Sequence, residues 1–168
     1  MNEPVTHILL VEDEEAHTEL VWRAFEAHRG RFHLSIAGNL AEARAYLAEA
    51  HTNLIIADLH LPDGLGTGLL PAKGEERTVP LIVMTAQGDE AAAVEAMKAG
   101  ALDYLVKSEE VLADMPRIAD RALREWGYIT GRQIAEQAQL FGFRIVQLHG
   151  GETHPPRPGN RRAELRFA

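Results

Sequence analysis

The sequence predicts an α/β protein with a doubly wound, five-stranded parallel sheet and helices on both faces. Short apolar runs alternate five times with segments whose apolar residues recur at helical spacing. The runs are continuously apolar, which is typical of strands that are buried on both faces of a parallel sheet. Strands that alternate with helices in this way join through right-handed crossovers, and these place helices on both sides of the sheet.

Five apolar runs are the predicted strands. The first is aliphatic and ends directly before a cluster of acidic side chains. The fourth contains Pro80 near its start, where a missing N–H is tolerated. The predicted strands cover residues 7–11, 32–37, 53–58, 79–85 and 102–107.

The segments between these runs carry the start and stop signals of helices. Glu14 and Glu15 suit the positive end of the first helix, and Asn39 can cap the second. Gly30 and Gly100 follow the last apolar residues of two helices, a common position for a terminating glycine. The predicted helices cover residues 14–28, a segment after residue 39, residues 69–73 and 88–99, and a long segment from about residue 109.

Composition narrows the function classes. The formal net charge of −8 argues against direct nucleic-acid binding, which requires clustered lysine and arginine. Without cysteine there is no disulfide, thiolate metal site or cysteine nucleophile, which fits the reducing cytoplasm. The chain begins without the pattern of a signal peptide, and no apolar run is long enough to span a membrane. We therefore expect a cytoplasmic protein that does not bind nucleic acid directly.

Polar side chains stand at the ends of four predicted strands. These residues are Glu12, Asp13, Asp58, Thr85 and Lys107. Because parallel strands end at one edge of a sheet, we expect the side chains to lie together there. Three crowded carboxylates favour a hard divalent cation, and Mg²⁺ suits carboxylate oxygens best. A hydroxyl and a lysine beside that cation could flank a phosphoryl group, for which Asp58 would be the covalent acceptor.

Four segments resemble one known family, the receiver domain of bacterial two-component response regulators. They occur in the family's order and spacing across roughly residues 5–126. The resemblance implies the flavodoxin-like arrangement of five strands. The four segments read ILLVEDE at 8–14, LIIADLHLPDG at 54–64, LIVMTA at 81–86 and GALDYLVK at 100–107.

The resemblance also implies the chemistry of the site. Asp58 would accept phosphate from a histidine kinase or a phosphotransfer protein. Asp13 would bind Mg²⁺ directly together with Asp58, Glu12 would bind it through water, and the backbone carbonyl of His60 would be a further ligand. The protein would then be a signalling switch and not a turnover enzyme.

Three further residues have roles implied by the resemblance. Thr85 would move toward the phosphoryl group, Lys107 would pair with it, and Tyr104 would turn inward when Thr85 moves. A downstream protein would then bind the face formed by the helix at 88–99, the fifth strand and the last helix. Ser108 stands where the family usually has proline, and we expect its side chain to cap the helix that begins near Glu109.

Two other functions remain open at this point. A Mg²⁺-dependent phosphatase or phosphotransferase could use Asp58 as its nucleophile, with His60 or Asp63 as the second acid or base. A protein-binding module that is never phosphorylated is the other alternative. The glycines at 64–68 do not form a phosphate-binding motif, and the eight histidines lack metal-ligand spacing, so we expect them on the surface or in loops.

The apolar helical pattern continues beyond the resemblance. We predict a receiver domain at residues 1–126, a helical extension at 127–148 and a flexible basic tail at 149–168, with a possible lone strand at 141–146. Gly127 and Gly131 weaken the extension by about 1 kcal/mol each, so a straight isolated helix is not expected. We predict that its apolar stripe pairs with a second copy to form a homodimer. The alternative is that the extension folds back or frays.

Overall fold

A computed structural model describes residues 4–86 and 89–140. Its main sheet contains five parallel strands in the order β2-β1-β3-β6-β7, and β4 and β5 form a separate hairpin. This confirms the predicted flavodoxin-like, doubly wound sheet. The strands are β1 (Thr6–Val11), β2 (Phe32–Ala37), β3 (Leu54–Asp58), β4 (His60–Leu61), β5 (Gly64–Leu65), β6 (Leu81–Thr85) and β7 (Asp103–Val106).

Helices cover both faces of this sheet. Four of the five predicted helical regions contain an α-helix, and the region at residues 69–73 does not. The first helix ends at Glu26, before the predicted stop at Gly30. The helices are α1 (Glu15–Glu26), α2 (Leu40–Glu49), α3 (Glu90–Ala99), α4 (Glu109–Ala113) and α5 (Met115–Leu140), with a 3₁₀ turn at Gly66–Leu69.

Alternate residues of each central strand belong to two different cores. On β1, Ile8 and Leu10 pack with residues of α1 and α5, whereas Leu9 and Val11 pack with residues of α2 and α3. All four side chains are almost completely buried. Successive strand residues point to opposite faces, so a run that is apolar throughout is required to fill both layers.

The predicted caps explain where several helices begin and end. The side chain of Asn39 accepts a hydrogen bond from the Glu42 N–H at 2.9 Å, and that of Ser108 accepts one from Val111 at 3.2 Å. Gly100 ends α3 in the left-handed conformation, with φ of 111°. These three predictions are therefore confirmed.

The helix predicted at residues 69–73 is wrong. Only the 3₁₀ turn at Gly66–Leu69 forms, and Leu70 adopts an extended backbone with ψ of 146°. Pro71 follows directly, and proline disfavours helical conformation in the residue before it. Leu69 and Leu70 therefore pack against the core that contains Leu9 and Val11 without forming an α-helix.

The long helix predicted from residue 109 is two helices. The first of them, α4, ends before Asp114. Pro116 lacks an N–H, so α4 cannot continue through this proline. Pro116 instead occupies the first turn of α5, where that N–H is not needed. Contrary to expectation, α5 then runs unbroken through Gly127 and Gly131. Two penalties of about 1 kcal/mol do not break a helix that is otherwise rich in arginine, glutamate, glutamine and alanine.

The end of α5 belongs to a second unit of the chain. The first compact unit extends to Gln133, and the domain boundary at residue 126 stays a prediction. In the second unit, Ile134 and Leu140 are 62% and 83% exposed. The predicted lone strand and basic tail lie outside the described residues. Within those residues, no helix combines the length and the apolar character needed to cross a bilayer.

The β4–β5 hairpin lies directly after Asp58 and is pressed against its backbone. The N–H of Gly66 donates to the Leu59 carbonyl at 2.9 Å. A Cβ atom added at Gly66 would lie 2.2 Å from the carbonyl oxygen of Asp58. Only glycine therefore fits at this position without displacing the end of β3.

We expect Gly66→Ala to lower the free energy of unfolding by about 1–3 kcal/mol, because the added methyl group forces the backbone of Asp58 to move. Chemical denaturation measures the change. Gly30→Ala is the matched control, since a Cβ at Gly30 meets nothing within 4 Å. Equal stability of the two variants would contradict the close packing at Gly66.

Candidate functional site

Three carboxylates meet at the carboxyl edge of the sheet. Glu12 and Asp13 follow β1 directly, and Asp58 is the last residue of β3. One oxygen of each lies within 4.8 Å of the others. The Glu12 side chain is fully buried, that of Asp58 is 13% exposed and Asp13 is exposed. The structure thus brings together the acidic residues that the sequence predicted to share this edge.

Lys107 lies between two of these carboxylates. Its Nζ donates to Asp58 Oδ2 at 2.5 Å and lies 2.7 Å from Glu12 Oε2. The contact with Glu12 is an ion pair, and Glu12 Oε2 has no aligned hydrogen-bond partner. The other oxygen of Glu12 accepts from the Glu14 N–H at 3.0 Å.

The charge of Lys107 is stabilised in this environment. Burial lowers the pKa of its ammonium, whereas the hydrogen bond to Asp58 and the attraction of Glu12 raise it. The balance leaves this pKa above its ordinary value, so the ammonium persists at neutral pH. Removing it would leave two partly desolvated carboxylates without compensation.

The donor set fits a hard divalent cation. Three carboxylates and one ammonium leave an excess of negative charge, and the buried Oε2 of Glu12 still lacks an aligned donor. Carboxylate oxygens are the ligands that Mg²⁺ takes in proteins. Glu12, Asp13 and Asp58 are therefore the residues that could hold it.

His60 borders the site through its backbone. Its N–H donates to Asp58 Oδ1 at 3.2 Å, while its ring contacts Asp89 Oδ2 at 2.8 Å. The role of its carbonyl as a metal ligand stays a prediction.

Among the described residues, neither Thr85 nor Tyr104 forms a side-chain hydrogen bond to the carboxylates. Thr85 is buried, and its hydroxyl donates to the Leu105 carbonyl on β7 at 3.5 Å, the long limit of a hydrogen bond. Tyr104 is 41% exposed. Their switch roles therefore stay predictions, which require both side chains to move.

His17 is a residue of the site that sequence reasoning missed. Its Nδ1 lies 3.0 Å from Glu14 Oε2, 3.4 Å from Lys107 Nζ and 3.6 Å from Glu12 Oε2. The expectation that the histidines occupy plain surface or loops is wrong for it. The available signal was its spacing of three residues from Glu14 in the first turn of α1, which puts the two side chains on one face.

Asp63 caps a helix. Its Oδ1 accepts from the Leu40 N–H at 2.8 Å and its Oδ2 from Ala41 at 3.0 Å, at the start of α2. The hydrogen bond from Leu40 lowers the pKa of this carboxyl group. Asp63 therefore ties the loop after Asp58 to α2.

The fold agrees with comparisons to known proteins. The family model of the response regulator receiver domain matches residues 8–116, well over half of the chain. The chain belongs to this family, and the resemblance seen in its motifs is confirmed. It is therefore a receiver domain of two-component signalling, a class of signalling switches that histidine kinases serve.

Two curated relatives and one solved structure show the extent of the similarity. The methanogenesis regulatory protein FilR1 of Methanothrix harundinacea is 35% identical over 153 residues, covering 88% of this chain and 31% of that protein. The acid tolerance regulatory protein ActR of Rhizobium meliloti is 38% identical over 114 residues, covering 66% and 58%. The beryllofluoride-activated NtrC4 receiver domain dimer is 30% identical with a TM-score of 0.61, covering 71% and 98%. The chain thus spans less than two thirds of either curated relative.

We expect Lys107→Met to lower the free energy of unfolding at neutral pH by about 3 kcal/mol without added metal, because it strands the carboxylates of Glu12 and Asp58. Urea denaturation measures the difference from wild type. Lys98→Met is the control, since Lys98 pairs with Glu95 on the exposed surface and such pairs contribute little.

The contribution of Lys107 to the free energy of unfolding depends on pH. Because the pKa of Lys107 is raised in the folded protein, this contribution is complete below its ordinary pKa of 10.5. It is lost as the pH rises through the pKa of the folded protein. On the alkaline side, the difference in unfolding free energy between wild type and Lys107→Met should therefore narrow only above pH 10.5. A gap that is absent at neutral pH contradicts the pairing.

Proposed function

We propose that Asp58 accepts a phosphoryl group from a histidine kinase or a phosphotransfer protein, and that this modification switches a partner-binding face. The supporting observation is the position of Lys107, whose ammonium contacts Asp58 and Glu12 beside Asp13 at the open edge of the sheet. We place this activity in the cytoplasm, the compartment expected from the sequence.

The residues act by position and charge. The N–P bond of a phosphohistidine breaks as an oxygen of Asp58 forms a new O–P bond, and the leaving imidazole keeps the electron pair of its nitrogen and takes a proton. Lys107 stays protonated and neutralises the oxygens of the incoming group. Asp13 and Asp58, with the His60 carbonyl and a water on Glu12, would hold Mg²⁺, which would supply further positive charge there.

The switch would begin at Thr85. Its long hydrogen bond to Leu105 is weak enough to be exchanged for one to a phosphoryl oxygen on Asp58. Tyr104 would then turn inward from its exposed position. The proposed output face, formed by α3, β7 and α5, already presents exposed apolar side chains. These are Val94, Met97, Tyr104 and Val106.

The contacts of Asp63, one of the two candidate acid–base residues, favour the switch over a phosphatase. Asp63 is engaged by two backbone N–H groups, and its lowered pKa makes it a poor proton donor. The His60 ring is paired with Asp89 through Nε2, so only its Nδ1 would be available for proton transfer in a turnover enzyme.

We expect acetyl phosphate or a phosphorylated kinase to label Asp58 alone, and only with Mg²⁺ present. Asp58→Asn should abolish labelling because its amide cannot form the acyl phosphate. Asp63→Asn is the control and should keep most labelling, since Asp63 serves as a cap. Phosphate-affinity gels and intact-mass measurements report the product. Labelling of Asp58→Asn at the wild-type rate would refute the assignment.

We also propose that α5 pairs with its copy in a second chain. The NtrC4 receiver is a dimer in its beryllofluoride-activated form, and Ile134 here is an exposed apolar residue on a long helix. An exposed apolar stripe is stabilised when a partner helix covers it.

We expect the full chain to dimerise and Ile134→Glu to shift it to monomer, because the charge would be buried in the interface. Multi-angle light scattering across a concentration series measures this. Gln133→Glu adds the same charge at the neighbouring exposed position and should leave the dimer intact. A wild-type chain that stays monomeric at high concentration rules the dimer out.

A further inference from the structure

Three histidines lie together at the amino edge of the sheet, opposite the carboxylates. His7 on β1 and His33 on β2 are register partners in adjacent parallel strands, and their ring centroids are 5.3 Å apart. The ring of His51, just before β3, lies 6.4 Å from that of His7. His7 is therefore flanked by an imidazole on each side.

The orientation of His51 follows from its hydrogen bonds. The backbone N–H of His7 donates to Asn53 Oδ1 at 2.8 Å, which fixes the orientation of the Asn53 side-chain amide. The amide nitrogen of Asn53 then faces His51 Nε2 at 3.1 Å. Because an amide nitrogen only donates, Nε2 must accept and carry a lone pair. Such a lone pair is what an imidazole presents to a metal ion.

The surroundings also favour a cation. His51 follows the carboxyl end of α2, where the helix carries partial negative charge, and the last turn of α2 contains no basic residue. Two imidazoles bound to one tetrahedral ion at 2.0–2.1 Å have ring centroids about 5 Å apart. The pair His7 and His33 already has this spacing.

We propose that His7 and His33 form a second metal site, for Zn²⁺, Ni²⁺ or Cu²⁺, with His51 as a third ligand. Imidazole nitrogen selects these ions over Mg²⁺. Among the described residues only Glu12, Asp13 and Asp58 already hold three ligand atoms within 4.8 Å, so the exposed ring of His51 must release Asn53 and rotate. Five residues of strand separate His7 from Glu12, about 16 Å, so the two sites are independent.

The test uses the full chain with Cu²⁺ and Zn²⁺. Electron paramagnetic resonance of the first Cu²⁺ equivalent should show coupling to imidazole nitrogens, which carboxylates cannot produce. Calorimetric titration with Zn²⁺, in excess Mg²⁺, should show binding that weakens about tenfold or more in His7→Gln/His33→Gln. His33→Gln alone, at an exposed position, gives a milder variant whose fold is not in question.

His28→Gln is the matched control, because His28 is exposed and lies outside this cluster, and it should bind as wild type does. Asp58→Asn should keep the nitrogen-coupled signal, so a failure of the proposed phosphorylation leaves this result unaffected. The site is overturned if the Cu²⁺ spectrum lacks nitrogen coupling. Unchanged Zn²⁺ affinity in both His33→Gln and the double variant overturns it equally.

Discussion

The ammonium of Lys107 is the interaction on which the carboxyl edge of the sheet depends. It contacts the fully buried carboxylate of Glu12 and the nearly buried one of Asp58. A buried carboxylate without a partner is costly, and two close together repel one another. These residues adjoin strands β1, β3 and β7, so one ion-pair cluster joins the ends of three strands. The negative charge that remains in excess of the Lys107 ammonium favours binding of an added cation at this edge.

The order of strands and helices could be predicted because burial on both faces leaves a direct mark on the sequence. A strand such as β3 is apolar at every position up to Asp58 at its end, and that pattern does not depend on distant residues. The boundaries near Pro71 and Pro116 were mispredicted because apolar spacing was given more weight than proline. Proline acts on its neighbours within one turn, and this local effect decides where a helix starts or stops.

The site was only partly predictable from strand ends. Asp58 and Lys107 are in contact because parallel strands end at the same edge of a sheet. This rule applies once the strands have been identified in the sequence. His17 was not predicted because its contacts with Glu12 and Lys107 depend on how the first turn of α1 packs at the carboxyl edge of the sheet. The capping role of Asp63 was not predicted because its partner Leu40 is 23 residues away in the chain. Contacts of this kind follow from packing between elements, which periodicity along one segment does not report.

The two edges of the same sheet offer different ligand chemistry. The carboxyl edge presents oxygen atoms of carboxylates, which suit hard cations, whereas the amino edge presents imidazole nitrogens of His7 and His33, which suit borderline transition metals. Strand β1 contributes His7 at one end and precedes Glu12 at the other, so in-register pairing of β1 with β2 and β3 builds both edges at once. Because ion preference follows donor type, the site proposed at the amino edge would select transition metals over Mg²⁺, whereas the carboxylates of the opposite edge would accept Mg²⁺ as well.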